Sequence, residues 1–291
     1  MSYANANGVK LYVEETGTGY PIVFVHEFAA DHREWETQVR YFSRNYRCIT
    51  YAARGYLPSD VPESDAAYDY THFADDIAVV IRHVGVPKAH VVGLSQGAYA
   101  TLMFGLRHPQ MASALVAAGC GSGAVQNQRE EFLKQCEINA QKFVAAGSAA
   151  MAKEMGISPT RVQLLLKDPR GWQEFSDHLS QHSAKGSALT MKNYQGKRPS
   201  LYDFTQQFST LTVPTLIIVG DEDDPCLEAS IFLKRTIPTV GLFIQPRTGH
   251  AINLEEPAVF NREVQEFLST VERGRWGRRD PRAAVSVPLQ R

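Results

Sequence analysis

The order of apolar and polar positions along the chain predicts alternating strands and helices. Residues 2–6 and 9–15 flank Asn7-Gly8, a dipeptide typical of a two-residue hairpin turn, and residues 9–15 alternate as a strand with one solvated face does. The apolar run at 22–26 does not alternate, which predicts a central strand covered on both faces. Further strands are predicted at 47–51, 89–93, 114–119, 214–220 and 241–244, and helices at 73–84, 96–108 and 257–271. Alternating strands and helices imply right-handed crossovers and a mostly parallel sheet with helices on both faces.

This alternation stops in the middle of the chain. Residues 125–207 contain no convincing strand, and apolar residues recur there at helical spacing, as in Trp172, Phe175 and Leu179. A helical segment inserted between strands predicts a lid over a site, and the alternative is a mere helical appendage. We therefore predict a core formed by residues 1–124 and 208–272 and a helical cap at 125–207. The arginine-rich residues 273–291 are predicted to be a flexible tail, with a partner-binding tail as the alternative.

Composition limits the classes of function. The chain has 291 residues, of which 44% are hydrophobic, and a formal net charge of −1, so a nucleic-acid partner is not expected. The N-terminal residues lack the pattern of a signal peptide, and no apolar run approaches the length of a membrane span. Four scattered cysteines without metal-binding spacing favour a reducing cytoplasm. We expect a small-molecule substrate and no cofactor, and the sequence leaves a homo-oligomer open.

The first candidate chemistry is the pentapeptide Gly93-Leu94-Ser95-Gln96-Gly97, which lies between a predicted strand and a predicted helix. Glycines on both sides allow strand and helix to pack closely around a strained turn that exposes the Ser95 hydroxyl. The alternative is a glycine-rich turn without a catalytic role. A catalytic serine would also need a base, an acid that orients the base, and N–H donors for an oxyanion.

Two later loops supply an acid and a histidine, each just after a predicted strand. The first is Gly220-Asp221-Glu222-Asp223-Asp224, and the second contains Gly249-His250. The carboxyl ends of parallel strands share one edge of the sheet, so these loops are expected to meet near Ser95. Four carboxylates also fit a solvated turn or a metal site, but the neighbouring sequence lacks a further cluster of ligands, and no metal is predicted.

These motifs together resemble the α/β-hydrolase superfamily. The resemblance covers residues 7–271 and rests on the serine pentapeptide, the Gly-Asp-x-Asp loop at 220–223, Gly249-His250 followed by Glu255-x-Pro257, and Arg54-Gly55 followed by Ser59. It implies the α/β-hydrolase fold, with a helical cap inserted before the strand that carries the acid.

The resemblance also implies the roles of individual residues. Ser95 is the expected nucleophile, His250 the base and Asp223 the acid, with Asp221 and Asp224 as alternatives for the acid. The expected oxyanion donors are the backbone N–H groups of Gln96 and Phe28.

Glu27 departs from the pattern of the family, in which glycine usually follows the histidine at the position of His26. Glu27 either points away from the site, which is the preferred interpretation, or lines the pocket. In the pocket it would disfavour anionic substrates or hold a water or a substrate hydroxyl.

The predicted activity is that of a serine hydrolase that cleaves a carboxylic ester or lactone through an acyl-enzyme. A carbon–carbon bond hydrolase and a cofactor-free perhydrolase use the same triad and stay open as alternatives. Ser95 argues against relatives with an aspartate nucleophile, such as epoxide hydrolases. A ligand-binding, receptor-like member is the alternative from outside the enzymes.

Overall fold

A sheet of eight strands forms the centre of the computed structural model, which describes residues 1–284. Strands β1 to β8 span, in chain order, Ser2–Ala6, Val9–Thr16, Tyr20–Val25, Tyr46–Tyr51, Ala89–Leu94, Ala112–Ala118, Thr215–Gly220 and Val240–Gln245. Their order across the sheet is β1-β2-β4-β3-β5-β6-β7-β8. The β1–β2 hairpin and the β2–β4 pair are antiparallel, and every later pair is parallel. The predicted mostly parallel sheet is confirmed.

Helices connect the strands and cover the sheet. Helices α1 to α11 span, in chain order, Glu36–Phe42, Tyr70–His83, Gln96–Arg107, Gln126–Gly156, Val162–Lys167, Pro169–Ser180, Ala184–Leu189, Thr205–Thr210, Asp224–Thr236, Ile252–Glu255 and Pro257–Glu272. The predicted helices correspond to α2, α3 and α11. Within residues 1–284, no helix is both long enough and apolar enough to cross a membrane.

The central strand β3 shows why its sequence does not alternate. Ile22 and Phe24 pack with Trp35 and Phe260 on one face of the sheet, while Val23 and Val25 pack in the core on the other face. Because both faces of the sheet are covered at β3, neither set of alternating side chains contacts solvent, and apolar residues are favoured at every position. The buried run therefore positions the chain that leaves β3 at the carboxyl edge of the sheet.

The segment between β6 and β7 is helical, and we call residues 126–210 the helical insertion. Its first helix, α4, bends at Gly147, where φ is 77°. The Tyr194 hydroxyl donates to the Gln96 carbonyl at 2.8 Å, and Arg198 Nη2 donates to the Ser122 carbonyl at 2.9 Å. Since Gln96 and Ser122 follow β5 and β6, the insertion packs against the carboxyl edge of the sheet.

The C-terminal segment differs from the prediction of a flexible tail that starts at residue 273. The Trp276 indole packs edge-on against Phe267, with ring centroids 4.6 Å apart, and donates to the Thr239 carbonyl at 2.7 Å. The Arg279 N–H donates to the Pro238 carbonyl at 3.0 Å. One partly buried indole thus attaches a segment whose composition is otherwise basic and polar. The predicted tail beyond residue 284 lies outside the described residues.

Helix α3 approaches the sheet more closely than a side chain would allow. A Cβ added to Gly97 would lie 2.1 Å from the Val25 carbonyl oxygen of β3, and one added to Gly93 would lie 2.3 Å from the Gly97 carbonyl oxygen. Both obstacles are backbone atoms, so no rotamer change can relieve them. The two glycines are required by packing, as the serine motif predicts.

We expect Gly97→Ala to lower the free energy of unfolding by about 3 kcal/mol, the upper end for overpacking against a group that cannot move aside. Chemical denaturation measures the effect. The matched control is Gly105→Ala in the same helix, where the added Cβ meets Leu115 Cδ1 at 2.3 Å and that side chain can change rotamer. The control is expected to cost less than about 1 kcal/mol, because alanine also favours the helix. Equal losses in the two variants would contradict the close-approach argument.

Candidate active site

Ser95 occupies a strained turn between β5 and α3. Its backbone has φ 54° and ψ −111°, a conformation that residues other than glycine rarely adopt. The Ser95 N–H donates to the Ala118 carbonyl at 2.8 Å, and the Ser95 carbonyl accepts from the Tyr99 N–H at 3.0 Å. The neighbouring strand and the following helix therefore hold this turn from both sides. Ser95 is partly exposed, whereas residues 91–94 before it and 96–100 after it are buried.

Asp223 and His250 meet at the same edge of the sheet. Asp223 follows β7 and is fully buried, His250 follows β8, and Asp223 Oδ2 lies 2.7 Å from His250 Nδ1. Of the alternative acids, Asp221 is exposed and accepts from the Thr248 N–H, while Asp224 is exposed at the start of α9. Among the three aspartates, only Asp223 contacts the imidazole.

The imidazole and the serine flank one short segment of chain. Gly119 follows β6 directly, and a Cβ added there would lie 3.3 Å from both Cε1 and Nδ1 of His250. The preceding residue, Ala118, accepts the hydrogen bond from Ser95. Within residues 1–284, no hydrogen bond joins the Ser95 hydroxyl to His250. Nδ1 faces Asp223, so Nε2 is the ring nitrogen available to a neighbouring proton donor.

Two electrostatic effects on Asp223 oppose each other. Burial raises the pKa of Asp223, but the charge and the hydrogen bond of His250, together with smaller effects of the Cys226 hydrogen bond and the Arg161 charge, outweigh burial and hold this pKa below its ordinary value. The carboxylate form is therefore favoured beside the ring. This arrangement orients the imidazole and favours the tautomer with its proton on Nδ1.

The two predicted oxyanion donors have no acceptor within the described chain. Gln96 is the first residue of α3, where backbone N–H groups have no partner within the helix. Phe28 lies on the loop after β3, and its N–H also lacks an acceptor among residues 1–284. A helix N-terminus adds a partial positive charge near Gln96, which favours an anion there.

His26 orients the peptide group that carries the Phe28 N–H. The Ala53 N–H donates to His26 Nε2 at 3.0 Å, so the ring proton is on Nδ1, which lies 2.7 Å from the Glu27 carbonyl oxygen. Burial lowers the pKa of His26 to about 4, which keeps the ring neutral. The carbonyl of the Glu27–Phe28 peptide is thus held by a fixed donor.

Glu27 is buried and paired with a residue of the helical insertion. Its N–H donates to Glu34 Oε2 at 3.0 Å, and its carboxylate forms an ion pair with the Arg161 guanidinium. Burial and the neighbouring Glu27 charge raise the pKa of Glu34 well above its usual range, which favours a neutral acid. Arg161 and Glu34 were missed by sequence reasoning. A buried acid at position 27 requires a cation, but no local pattern identifies Arg161 as that cation.

One group of side chains within residues 1–284 has metal-like spacing, namely Asp223, Cys226 and His250, whose ligand atoms lie within 4.8 Å of one another. The Asp223–His250 hydrogen bond accounts for two members of the group. Burial raises the pKa of the Cys226 thiol well above its usual range, which disfavours the thiolate that a metal requires. The prediction that the site holds no metal stays a prediction.

Comparison with known proteins assigns the family. Residues 20–257 match the family described as the alpha/beta hydrolase fold. The chain belongs to the α/β-hydrolase family.

Individual relatives differ in the reaction that their names state. A putative non-heme chloroperoxidase of Synechocystis is 28% identical, covering 91% of this chain and 96% of that protein. The 3-oxoadipate enol-lactonase 1 of Acinetobacter baylyi is 25% identical, covering 92% and 96%. Among solved structures, a thermophilic esterase from Thermogutta terrifontis superimposes with a TM-score of 0.81 at 24% identity, covering 93% of this chain and 97% of that one. This structural likeness supports the fold.

We expect the pKa of Asp223 to rise above that of a free aspartate, about 3.9, in His250→Ala, because burial then acts with less opposition. Infrared or carbon-13 NMR titration measures the pKa, with Asp223→Asn assigning the signal. A pKa that stays low without the imidazole would contradict the assignment of the shift to His250.

The same shift predicts a pH dependence of stability. A carboxyl whose pKa is lower in the folded protein stabilises the fold above its unfolded-state pKa. This contribution is lost as the pH falls below about 4, towards the folded-state value. The difference in free energy of unfolding between the parent protein and Asp223→Asn is therefore expected to shrink in acid.

Proposed function

We propose that this protein is a serine hydrolase that cleaves a carboxylic ester or lactone through an acyl-enzyme. The observation that carries the proposal is the convergence of the strained Ser95 turn and the Asp223–His250 pair on the Ala118–Gly119 segment. The three residues follow separate strands, β5, β7 and β8, at one edge of the sheet, which supports the proposed triad. Strain at Ser95 keeps its hydroxyl clear of the sheet.

The mechanism assigns each group one task. Ser95 Oγ attacks the substrate carbonyl carbon as His250 Nε2 takes the hydroxyl proton, and Asp223 stabilises the resulting imidazolium. The Phe28 and Gln96 N–H groups donate to the oxyanion. The imidazolium protonates the leaving alkoxide. A water activated by His250 then attacks the acyl-enzyme, and the acid product is released.

The helical insertion is proposed to act as a lid that limits access of water and selects the substrate. Its contacts with Glu27, Gln96, Ser122 and His250 place it against loops that follow four different strands. The Phe143 ring of α4 packs edge-on against Phe28, with ring centroids 5.7 Å apart, beside the proposed oxyanion donor. An apolar acyl or alcohol group suits such surroundings.

One relative has a name that supports a lactone substrate, and another has a name that favours a second candidate reaction. An enol-lactonase relative favours hydrolysis of a cyclic ester. A chloroperoxidase relative favours perhydrolysis, in which hydrogen peroxide replaces water as the attacking group and the acyl-enzyme yields a peracid. The four cysteines are buried free thiols, which supports the proposed location in a reducing cytoplasm.

We expect Ser95→Ala to lower kcat for p-nitrophenyl esters by about a million-fold, because the members of a triad act as a unit. The same variant is expected to lose labelling by a fluorophosphonate probe. Ser122→Ala, another serine at the same edge of the sheet, is the control and is expected to keep both activities. A loss smaller than about tenfold in Ser95→Ala would overturn the proposed nucleophile.

A substrate panel separates the candidate reactions. Lactones and p-nitrophenyl esters test hydrolysis, vinylogous diketones test carbon–carbon cleavage, and esters with hydrogen peroxide test peracid formation. The proposal expects the highest kcat/KM on an ester or lactone with water as the acceptor. Probe labelling without turnover of any of these substrates would favour a ligand-binding member of the family.

A further inference from the structure

Two consecutive residues of the helical insertion contact the loop that carries the proposed base and the loop that carries one proposed oxyanion donor. The His250 N–H donates to the Thr160 carbonyl at 3.3 Å. Arg161 Nη1 donates to the same carbonyl at 3.2 Å, while Nη2 pairs with the Glu27 carboxylate. Thr160 and Arg161 therefore connect the loop of the proposed base with the loop of the proposed oxyanion donor.

Within residues 1–284, the other hydrogen bonds to the backbone of the Glu27–Phe28 unit come from groups of the core, while the Phe143 ring of the insertion packs against Phe28. His26 Nδ1 donates to the Glu27 carbonyl at 2.7 Å, and Glu34 accepts from the Glu27 N–H at 3.0 Å. The Tyr56 hydroxyl donates to the Phe28 carbonyl at 3.0 Å. Arg161 is the polar contact that joins this unit to the insertion within residues 1–284.

Because the ion pair between Glu27 and Arg161 is buried, the stability of each charge depends on the presence of the other. The side chains of Glu27 and Arg161 are only 1% and 7% exposed. Removing one partner leaves the other charge buried without compensation, and the structure must rearrange to hydrate it. Glu34 favours the neutral form, so Glu27 is the carboxylate that pairs directly with Arg161, whose charge also helps to lower the pKa of Asp223. The insertion therefore cannot leave this loop without disturbing Glu27.

We infer that Glu27 and Arg161 are positioning residues whose ion pair couples the docked insertion to the orientation of the Phe28 oxyanion donor. The inference rests on the proposed function, since it requires Phe28 to donate to an oxyanion. The inference gives the buried Glu27 carboxylate a role, because this side chain extends from the loop to Arg161 of the insertion. Displacement of the donor by about 1 Å can cost on the order of a hundredfold in rate.

The test compares Glu27→Gln, Arg161→Met, the double variant and Arg161→Lys in ester hydrolysis. Both neutral single variants are expected to lose about 10- to 100-fold in kcat, while KM changes by less than about threefold, because the donor acts on the oxyanion and not on the bound substrate. The rate of fluorophosphonate labelling is expected to fall with kcat. Arg161→Lys keeps the charge but not the planar fork, so its kcat is expected to lie between those of the parent and Arg161→Met.

The double variant separates positioning from stability. It removes both buried charges, so it is expected to unfold at a higher temperature than either neutral single variant, yet to keep the low kcat. Lys185→Met is the matched control, because Lys185 joins the insertion to Glu63 at 2.6 Å with both side chains exposed. This control is expected to keep the parent kcat.

Two results would overturn the inference. The first is a double variant with kcat within about threefold of the parent, since the coupling to the donor would then be absent. The second result applies if the neutral variants do not fold. In that case, an Arg161→Lys protein with the parent kcat would show that the Glu27–Arg161 ion pair contributes to stability and not to the orientation of the donor. Failure of the proposed function is recognised separately, by hydrolysis that survives Ser95→Ala in the same assay.

Discussion

Backbone atoms of α3 and β3 touch at Gly97, and the geometry of the site depends on this contact. A Cβ at Gly97 would lie 2.1 Å from the Val25 carbonyl oxygen, so the helix can begin where it does only without a side chain there. The chain must then change direction within one residue between β5 and α3, and this residue is Ser95, with φ 54°. The unfavourable conformation persists because strand and helix on both sides are packed and hydrogen-bonded.

The carboxyl edge of a parallel sheet explains why distant segments meet at this turn. Each strand from β3 to β8 ends at the same edge, and the chain leaves it through a loop that need not continue the ladder. Asp223 and His250 come from loops that follow adjacent strands, β7 and β8. Their hydrogen bond forms in a buried environment, where an unpaired carboxylate would be costly. Electrostatics therefore reinforces what the topology brings together.

The helical insertion makes polar contacts with the loops at the carboxyl edge of the sheet. Its hydrogen bonds and ion pair go to backbone and side-chain groups on the loops after several strands, while apolar rings such as Phe143 fill the space between. Contacts of this kind couple the position of an insertion to the shape of the loops beneath it.

The amino-acid sequence by itself determined the order of strands and helices, the helical character of the insertion and the motifs around Ser95, Asp223 and His250. These features are local: hydrophobic periodicity reports burial, and glycine reports close approach or unusual backbone angles. The sequence also restricted the acid to a loop with several carboxylates, and it needed the family resemblance to favour Asp223. Burial of Asp223 and exposure of Asp221 and Asp224 separate them in the fold.

Tertiary structure alone decided the partner of Glu27 and the path of the C-terminal segment. Arg161 is 134 residues from Glu27 along the chain, and its own neighbours carry no motif. Trp276 lies among arginines, yet its indole is packed against Phe267 and the end of the sheet. The Glu27–Arg161 pair and the hydrogen bond from Trp276 to Thr239 join residues that are 134 and 37 positions apart along the chain. A local pattern shows that a charge or an aromatic ring needs a partner, and only the folded chain determines which group is within reach.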